Sequence, residues 1–407
     1  MSPEPDALAP GAAVPDRARA DACPGALRLH PADDGALARV RLPGGRLTVR
    51  QALALADAAR ELGDGRLEIT SRGNVQLRGL APDCGGELGG RLRAAGLLPS
   101  DTHERVRNIV ASPGAAAGLG DVHAWAHSLD LALCASPWAT ALSGKFLFAL
   151  DDGSGDVAAL DADVTLIAGP DGTALLRLGR AGTVRPVPAG QAVFAALDAA
   201  HEFLEAQHAA GVRAWHLREV PELLPPGPLP MPVLPGTRPP LGVLPGGGLH
   251  VGLRFGLAGA AQWRTLADAA EGELRLTPWR GAVLPGAPAG RLAELAAAGF
   301  RTAAGTAWDG ASACTGLPGC AKSLADVRAD AARALEGAPA GPGGLPVHWS
   351  GCERRCGHPA GRRVDVLATG QGYRVALEGV PQGRETAVEV TNEEMAAAVA
   401  AARRTTT

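Results

Sequence analysis

Four of the seven cysteines stand in two glycine-rich stretches, and their spacing is the most direct sign of chemistry in the chain. Cys314 and Cys320 lie in Ala313-Cys314-Thr315-Gly316-Leu317-Pro318-Gly319-Cys320. Cys352 and Cys356 lie in Gly351-Cys352-Glu353-Arg354-Arg355-Cys356-Gly357. Cys-x5-Cys followed by Cys-x3-Cys brings thiolates from two loops, a donor set for an iron–sulfur cluster or a structural zinc. Zinc ribbons use shorter Cys-x2-Cys knuckles, so these arms favour the cluster. Gly316, Gly319, Gly351 and Gly357 let backbone come close and turn amide N–H groups toward sulfides. Two such loops in a cysteine-poor chain argue against plain buried thiols. Cys23, Cys84 and Cys134 are scattered.

A second group is polar. Arg72, Asn74, Gln76 and Arg78 recur at every second position, so on a strand they share one face while Val75 and Leu77 take the other. Two guanidiniums and two amides with no acid among them make a surface for carboxylates; the alternative is a solvated sheet face. Arg280 is positioned to add to it, and Arg105, Arg107 and Asn108 are further candidates. Lys145 stands out because only one other lysine, Lys322, occurs; it reads equally well as a surface charge on a strand. His123 and His127 share a helix face at i, i+4, a metal-binding spacing that also suits ordinary polar surface. His348 and His358 flank the cysteine loops and suit tuning or packing better than ligation.

These residues need elements to hold them. Ala38 to Leu42 alternates as a strand, and Thr48 is placed to cap a helix running to Leu62, with Gly63 as its stop. A strand follows at residues 67–70, leading into a second alternating stretch over 71–80, and then a helix over 88–95. This β-α-β-β-α order is a ferredoxin-like half-unit. It returns after residue 240, where Leu42-Pro43-Gly44-Gly45-Arg46-Leu47-Thr48-Val49 aligns with Leu244-Pro245-Gly246-Gly247-Gly248-Leu249-His250-Val251. Residues 67–72 align with 274–280. Duplication explains the repeated turn, helix, strand and arginine better than chance. Residues 145–150 and 164–168 read as strands and 192–208 as a helix. A helix over 321–336 opens directly behind Cys320 and closes at Gly337, which puts its positive end beside the thiolates. Residues 347–349 read as a strand delivering Cys352. The expected fold is α+β, with two ferredoxin-like half-domains paired about a pseudo-two-fold and two mixed α/β domains. Its divisions are a disordered tail at 1–20, a half-domain at 21–98, an α/β domain at 99–220, a Pro-rich linker at 221–240, a half-domain at 241–300 and a cluster domain at 301–407.

Composition excludes several classes. Hydrophobic residues are 46%, charged residues 20% and net charge -3, so bulk charge offers no attraction for nucleic acid or anionic membrane. A single tyrosine supplies no stacking platform for single strands. No apolar run has the length of a spanning helix, and the acidic N-terminus lacks a signal pattern, so a cytoplasmic setting with reduced thiols is expected. No Walker loop, GxSxG elbow or dinucleotide fingerprint occurs, so electrons should come from a separate reductase.

Residues 70–79, the duplicated half-units and the two cysteine pairs together resemble the sulfite/nitrite reductase superfamily over nearly the whole chain. The resemblance implies a [4Fe–4S] cluster on Cys314, Cys320, Cys352 and Cys356. It also implies sirohaem in a basic pocket, its iron joined to the cluster through Cys356. Ala22-Cys23-Pro24-Gly25, the short length and residues 274–280 resemble one branch most, in which the tetrapyrrole is substrate. That branch implies an O2-dependent monooxygenase of aerobic cobalamin biosynthesis, hydroxylating a precorrin at C20 with γ-lactone formation. It implies a mononuclear non-haem iron, whose ligands the spacing does not assign. The donor would be a ferredoxin or flavin reductase carrying NAD(P)H-derived electrons. Arg72, Asn74, Gln76, Arg78, Arg280, Arg107 and Lys145 would then face a polycarboxylate tetrapyrrole. The strand begun by Lys145 continues with Phe146 and Leu147 where sirohaem reductases carry a second lysine, which suits O2 better than an oxyanion. The alternatives are a sirohaem-dependent sulfite or nitrite reductase and a non-enzymatic electron carrier.

Overall fold

The computed structural model describes residues 21–114, 120–336, 344–359, 361–379 and 387–404. The expected tail at 1–20 and the helix stop at Gly337 lie outside them.

The first half-domain runs β1 (His30–Ala32), β2 (Gly35–Val40), β3 (Arg46–Thr48), α1 (Val49–Leu62), β4 (Arg66–Ile69), β5 (Val75–Leu80) and α2 (Gly85–Ala94). Helix α1 starts where expected: Thr48 accepts from Gln51 N–H at 3.2 Å and the Gln51 amide answers at 3.0 Å, a full capping box. Gly63 ends it by donating to Ala59 O. The first α/β domain follows as β6 (Ile109–Ala111), α3 (Val122–Ala135), β7 (Phe148–Asp151), β8 (Val164–Ala168), β9 (Thr173–Leu178), β10 (Thr183–Pro188) and α4 (Ala192–Ala210), with β11 (Leu229–Pro230) contributed by the proline-rich segment. Proline confines β11 to an edge, against β10. The second half-domain is β12 (Gly242–Val243), β13 (Leu249–Gly252), β14 (Leu257–Gly259), α5 (Ala260–Asp268), β15 (Glu273–Leu276), β16 (Gly281–Leu284) and α6 (Leu292–Ala297). The last region is β17 (Ala311–Ala313), α7 (Val327–Glu336), β18 (Val347–Ser350), β19 (Arg363–Ala368), β20 (Tyr373–Glu378), β21 (Val388–Val390) and α8 (Met395–Arg403). Among the described residues no helix is long and apolar enough to cross a membrane.

The half-domains exchange a strand. One sheet has the order β1-β2-β5-β4-β14 and the other β12-β13-β16-β15-β3, so each copy donates its short strand to its partner's edge. Leu47 opposes Leu274 and Ala258 opposes Leu67. One hydrophobic core spans both copies, with Leu55, Ala56, Leu67 and Ile69 from the first and Trp263, Leu266 and Leu274 from the second. Trp263, fully buried on α5, donates Nε1–H to Ala52 O of α1 at 3.1 Å. Alanines line both helices there, which lets the axes approach.

The structure corrects the internal alignment. The Leu-Pro-Gly-Gly of the second copy is the hairpin turn between β12 and β13, closed by Leu244 N–H to Gly248 O. The counterpart of Leu42-Pro43-Gly44-Gly45 is Leu253-Arg254-Phe255-Gly256. Gly44 has φ 64 and ψ 10, and Phe255 has φ 55 and ψ 12. The β4 to β15 correspondence stands, but the arginines do not match. Gly73 and Arg280 both donate to the threonine that opens their turn, Thr70 and Thr277, at 3.1 Å, with φ 68 and 62. Arg280 therefore stands in the place of Gly73, and Trp279 in the place of Arg72.

The two α/β domains repeat one topology. Strands β6, β7 and β8 are parallel and β9 returns antiparallel; β17, β18 and β19 are parallel and β20 returns antiparallel.

Candidate cluster site and the arginine face beside it

Strands β17 and β18 end side by side and deliver the cysteine loops. Cys314 N–H donates to Trp349 O at 2.9 Å, and Leu324 N–H to Gly351 O at 2.8 Å, which ties one loop to the other. Gly351 N–H points at Cys314 Sγ, 3.2 Å away. A Cβ on Gly351 would lie 1.8 Å from Ser323 Oγ, so glycine is required for the approach. All four cysteines are free; Cys356 is exposed and the others half-buried. Burial pushes the Cys314 thiol up, while Gly351 and Gly316 N–H and the Arg328 charge act against it.

Helix α7 begins at Val327, not behind Cys320. The chain from Cys320 first closes a turn, Ser323 N–H to Cys320 O, and Ser323 Oγ then bonds Ala325 O, which keeps these residues out of helix. The helix start abuts Gly316 instead, and Arg328 donates to Cys314 O at 3.1 Å.

His348 is fully buried on β18. Its Nε2 donates to Cys356 O at 3.1 Å, so Nδ1 is the acceptor facing Ser312 Oγ at 2.8 Å. Burial, with Arg280 nearby, lowers its pKa to about 4, so the ring is neutral at pH 7 and holds this tautomer.

Among the described residues, Asp151, Asp152 and Asp156 form the one group of three His, Cys, Asp or Glu ligand atoms within 4.8 Å of one another. The cysteine thiols therefore stand wider than a tetrahedral zinc, whose sulfurs sit about 3.8 Å apart. Wider spacing, glycine-backed loops and an N–H aimed at sulfur fit a polynuclear cluster. The aspartate group does not fit an iron. Asp151 already accepts N–H from Gly153, Gly155, Val157 and Ala158, and Asp156 accepts from Ser112 and Val157. No other group of three such ligand atoms lies that close together among the described residues.

The arginine face is built on β2 and β5. Arg39 opposes Gln76 and donates to its Oε1 at 2.9 Å, leaving Nε without a partner. Arg41, 3% exposed, donates to Arg105 O and Gly144 O at 3.2 and 3.3 Å; its Nη1 has no partner. Burial, then the charge of Arg39, lowers the Arg41 pKa to about 9. Arg72 lies on the turn before β5, not on the strand, because Gly73 takes a left-handed conformation. Burial lowers its pKa too. Among the described residues Arg39, Arg41 and Arg72 form no ion pair. Cys23 sits among them, held by buried Asp21, which accepts from Cys23 N at 3.0 Å, Ser143 Oγ at 2.8 Å and Gly144 N at 2.9 Å. Burial first, then Asp21, raises the Cys23 thiol, and Arg41 and Arg39 oppose them.

The other sequence candidates are placed differently. Asn74 is a structural clasp, its Oδ1 accepting from Leu42 N and its Nδ2 donating to Asn108 Oδ1. Arg78 is held by Asp34 and by Gly319 O at 2.9 Å, so it ties the half-domain to the first cysteine loop. The acids absent from residues 72–78 come from Asp34 and from Glu68, opposite Gln76 on β4. Arg107 is locked bidentate on Asp130 and is 4% exposed. Lys145 precedes β7, its ammonium 4.0 Å above the Trp215 ring. Arg280 belongs to the second turn, among Glu68 and Arg328. His123 is buried, His127 exposed. Sequence reading missed Arg39, Arg41 and Cys23 as site residues; the Arg-x-Arg alternation on β2 was the available signal for two of them.

Residues 30–93 and 244–298 match the nitrite/sulfite reductase ferredoxin-like half domain. The fold is that seen in the NirA protein of Mycobacterium tuberculosis, with TM-score 0.65 and 19% identity over 89% of this chain and 79% of that one. A ferredoxin–nitrite reductase of Synechococcus elongatus is 37% identical over 126 residues, 29% of this chain and 25% of that protein. The chain thus has the nitrite/sulfite reductase architecture, with two copies of its half-domain. Within that class it is similar to precorrin-3B synthase of Sinorhizobium sp., 28% identical over 400 residues, 91% of this chain and 85% of the relative. This is the branch that residues 22–25 and 274–280 pointed to.

Proposed function

We propose that the protein is an oxidoreductase of the precorrin-3B synthase type: it hydroxylates precorrin-3A at C20 with γ-lactone formation, using O2. One oxygen atom enters the substrate and the other leaves as water, with electrons from an external ferredoxin or flavin reductase fed by NAD(P)H. The observation that carries this reading is the set of Arg39, Arg41 and Arg72, three guanidiniums with no ion-pair partner among the described residues, two of which, Arg39 and Arg41, keep a buried N–H without a partner. Such donors are completed by a polycarboxylate. Arg39 is oriented by Gln76, and Arg41 by two carbonyls, so the fork directions are set before the ligand arrives. A [4Fe–4S] cluster on Cys314, Cys320, Cys352 and Cys356 would supply single electrons beside this pocket. Neutral His348 donates its Nε2 proton to the Cys356 carbonyl and fixes that loop without adding charge. Cys23 fills the space between the guanidiniums with a small, weakly polar group.

The second reading is a sirohaem-dependent sulfite or nitrite reductase, in which the same arginines hold the cofactor's carboxylates. It is favoured by the segment shared with the ferredoxin–nitrite reductase. Purified protein incubated with precorrin-3A and a reductant separates the two. Conversion that requires O2, from protein without a sirohaem Soret band, is the expected result. A stoichiometric sirohaem band with sulfite or nitrite reduction would overturn it.

A further inference from the structure

A cavity of about 790 Å³, near the upper end of small-molecule sites, lies between the second half-domain and the cysteine-bearing region, with Ser71 of the first half-domain also on its wall. Its wall includes Arg238, Trp279, Arg280, Arg301, Trp308 and His358. Asp309, the lining carboxylate, is already paired with Arg301. Among the described residues Arg238 and Arg280 have no ion pair. Arg238 lies over the Trp279 ring, 5.1 Å from its centroid, and the Trp279 Nε1–H is buried without a partner. Phe255 packs on Trp308 with centroids 5.1 Å apart. Arg254 also lies over the Trp308 ring, 4.8 Å from its centroid, so each indole has one face covered by a guanidinium, and the cavity offers the remaining indole surface, the unpaired Arg238 and Arg280 and an unused ring donor.

Backbone conformation gives independent support. Phe255 and Arg280 both have left-handed φ, 55 and 62, at the positions held in the first copy by Gly44 and Gly73, with φ 64 and 68. Non-glycine residues persist there against strain when their side chains are needed. The Arg280 stem is received by Gly256, where a Cβ would meet Arg280 Cγ and Cδ at 3.0 Å. The second copy has thus given up both glycines of the first and uses the side chains to line this cavity. The site is not the arginine face: Trp279 replaces Arg72, and by the turn alignment His250 replaces Arg39.

We propose that this cavity is a second ligand site that takes a planar aromatic anion. The indole faces stack on the ring system and Arg238 and Arg280 bind its acidic groups. The Cys356 loop continues directly as Gly357-His358-Pro359 into the cavity wall, so the ligand lies against the cysteine loops.

The test is calorimetric titration of purified, cluster-loaded protein with two probes, flavin mononucleotide and uroporphyrin III. The expected result is one equivalent of flavin mononucleotide bound, weakened about tenfold or more by Trp279→Ala and by Arg280→Gly, and unchanged by Arg72→Gln. Arg280→Gly restores the residue suited to that φ, so its melting temperature should not fall and the loss cannot be misfolding. If the natural ligand is a tetrapyrrole, uroporphyrin binds in two equivalents, one lost in Arg280→Gly and the other in Arg72→Gln. Absence of binding by both probes at millimolar concentration, or affinities in Trp279→Ala and Arg280→Gly equal to wild type, would overturn the proposal. Loss of binding confined to Arg72→Gln would overturn it while leaving the proposed function intact.

Discussion

Replacing Arg41 by methionine should weaken polycarboxylate binding without weakening the fold. Burial first, then the charges of Arg39 and Arg72, lowers the Arg41 pKa to about 9, and at about 1.4 kcal/mol per pKa unit the charged form is raised by about 5 kcal/mol. The unfolded chain holds the Arg41 proton more tightly, so stability rises with pH above about 9 until the unfolded guanidinium also titrates, and at pH 7 the whole cost is present. Methionine removes the cost and fills much the same path, but it leaves Arg105 O and Gly144 O without their donors, a loss of about 2–6 kcal/mol together. The net lies between a loss of about 1 kcal/mol and a gain of about 3 kcal/mol, seen as a melting temperature within a few degrees of wild type. Binding loses one charge-assisted hydrogen bond, about 1.5–3 kcal/mol, hence about ten- to hundredfold in Kd for uroporphyrin III measured by fluorescence quenching. Arg41→Met melting about 5 °C below wild type with unchanged affinity would refute the reasoning, because Arg41 would then be structural.

Three further outcomes are expected. Serine in place of any one of Cys314, Cys320, Cys352 or Cys356 should remove the visible cluster absorbance and acid-labile sulfide; full iron and sulfide in all four variants would reassign the ligands. Gly45→Ala should cost about 3 kcal/mol or more, because its Cβ would stand 2.2 Å from Leu276 O at φ 70; a denaturant midpoint equal to wild type would show that the half-domain interface yields. Burial, then Arg275 and Arg46, lowers the His123 pKa from 6.5 to about 4. The unfolded chain is therefore protonated first, and about 3 kcal/mol of stability present above pH 6.5 is lost as pH falls to about 4. His123→Phe should flatten that part of the pH profile in denaturant melts, and an identical slope would remove His123 from the account.

What the sequence disclosed follows the range of the interaction. The caps of α1 are local, and Thr48, Gln51 and Gly63 name themselves. Strand β8 is where its four apolar residues and the buried Thr165 place it. The cysteine loops are visible because their density is a local property. The internal alignment failed because Leu-Pro-Gly-Gly suits a hairpin turn as well as a half-domain turn, and Phe255 hides the true counterpart by holding a glycine conformation. The run of polar residues from Arg72 to Arg78 was legible as a face, but its partners were not. Asp34 neutralises Arg78, and Asp130, distant in sequence, neutralises Arg107. Cys23 reaches the arginines only through Asp21 and the loop at residues 143–144, a convergence no periodicity carries.

The duplicated α/β domains suggest why one chain has one set of cysteine loops. The loop after β7 and the loop after β18 leave corresponding strands, and each must be organised without regular structure. After β7 a buried carboxylate does this: Asp151 gathers N–H groups from Gly153, Gly155, Val157 and Ala158 and closes the loop on itself. After β18 the loop has Cys352 and Cys356 in place of such a carboxylate, and what binds those thiols must do the closing. The half-domains diverge in the same sense. The turn of the first copy keeps Gly73 and carries Arg72, while the turn of the second substitutes Trp279 and a left-handed Arg280. The two α/β domains thus pair one thiol-bearing loop with one carboxylate-closed loop. On this argument Asp151→Asn should loosen only the β7 loop, raising amide exchange at residues 153–158, while cysteine replacement should loosen only the β18 loop. Equal loosening of both by either change would mean the two loops are coupled rather than alternative solutions to one structural need.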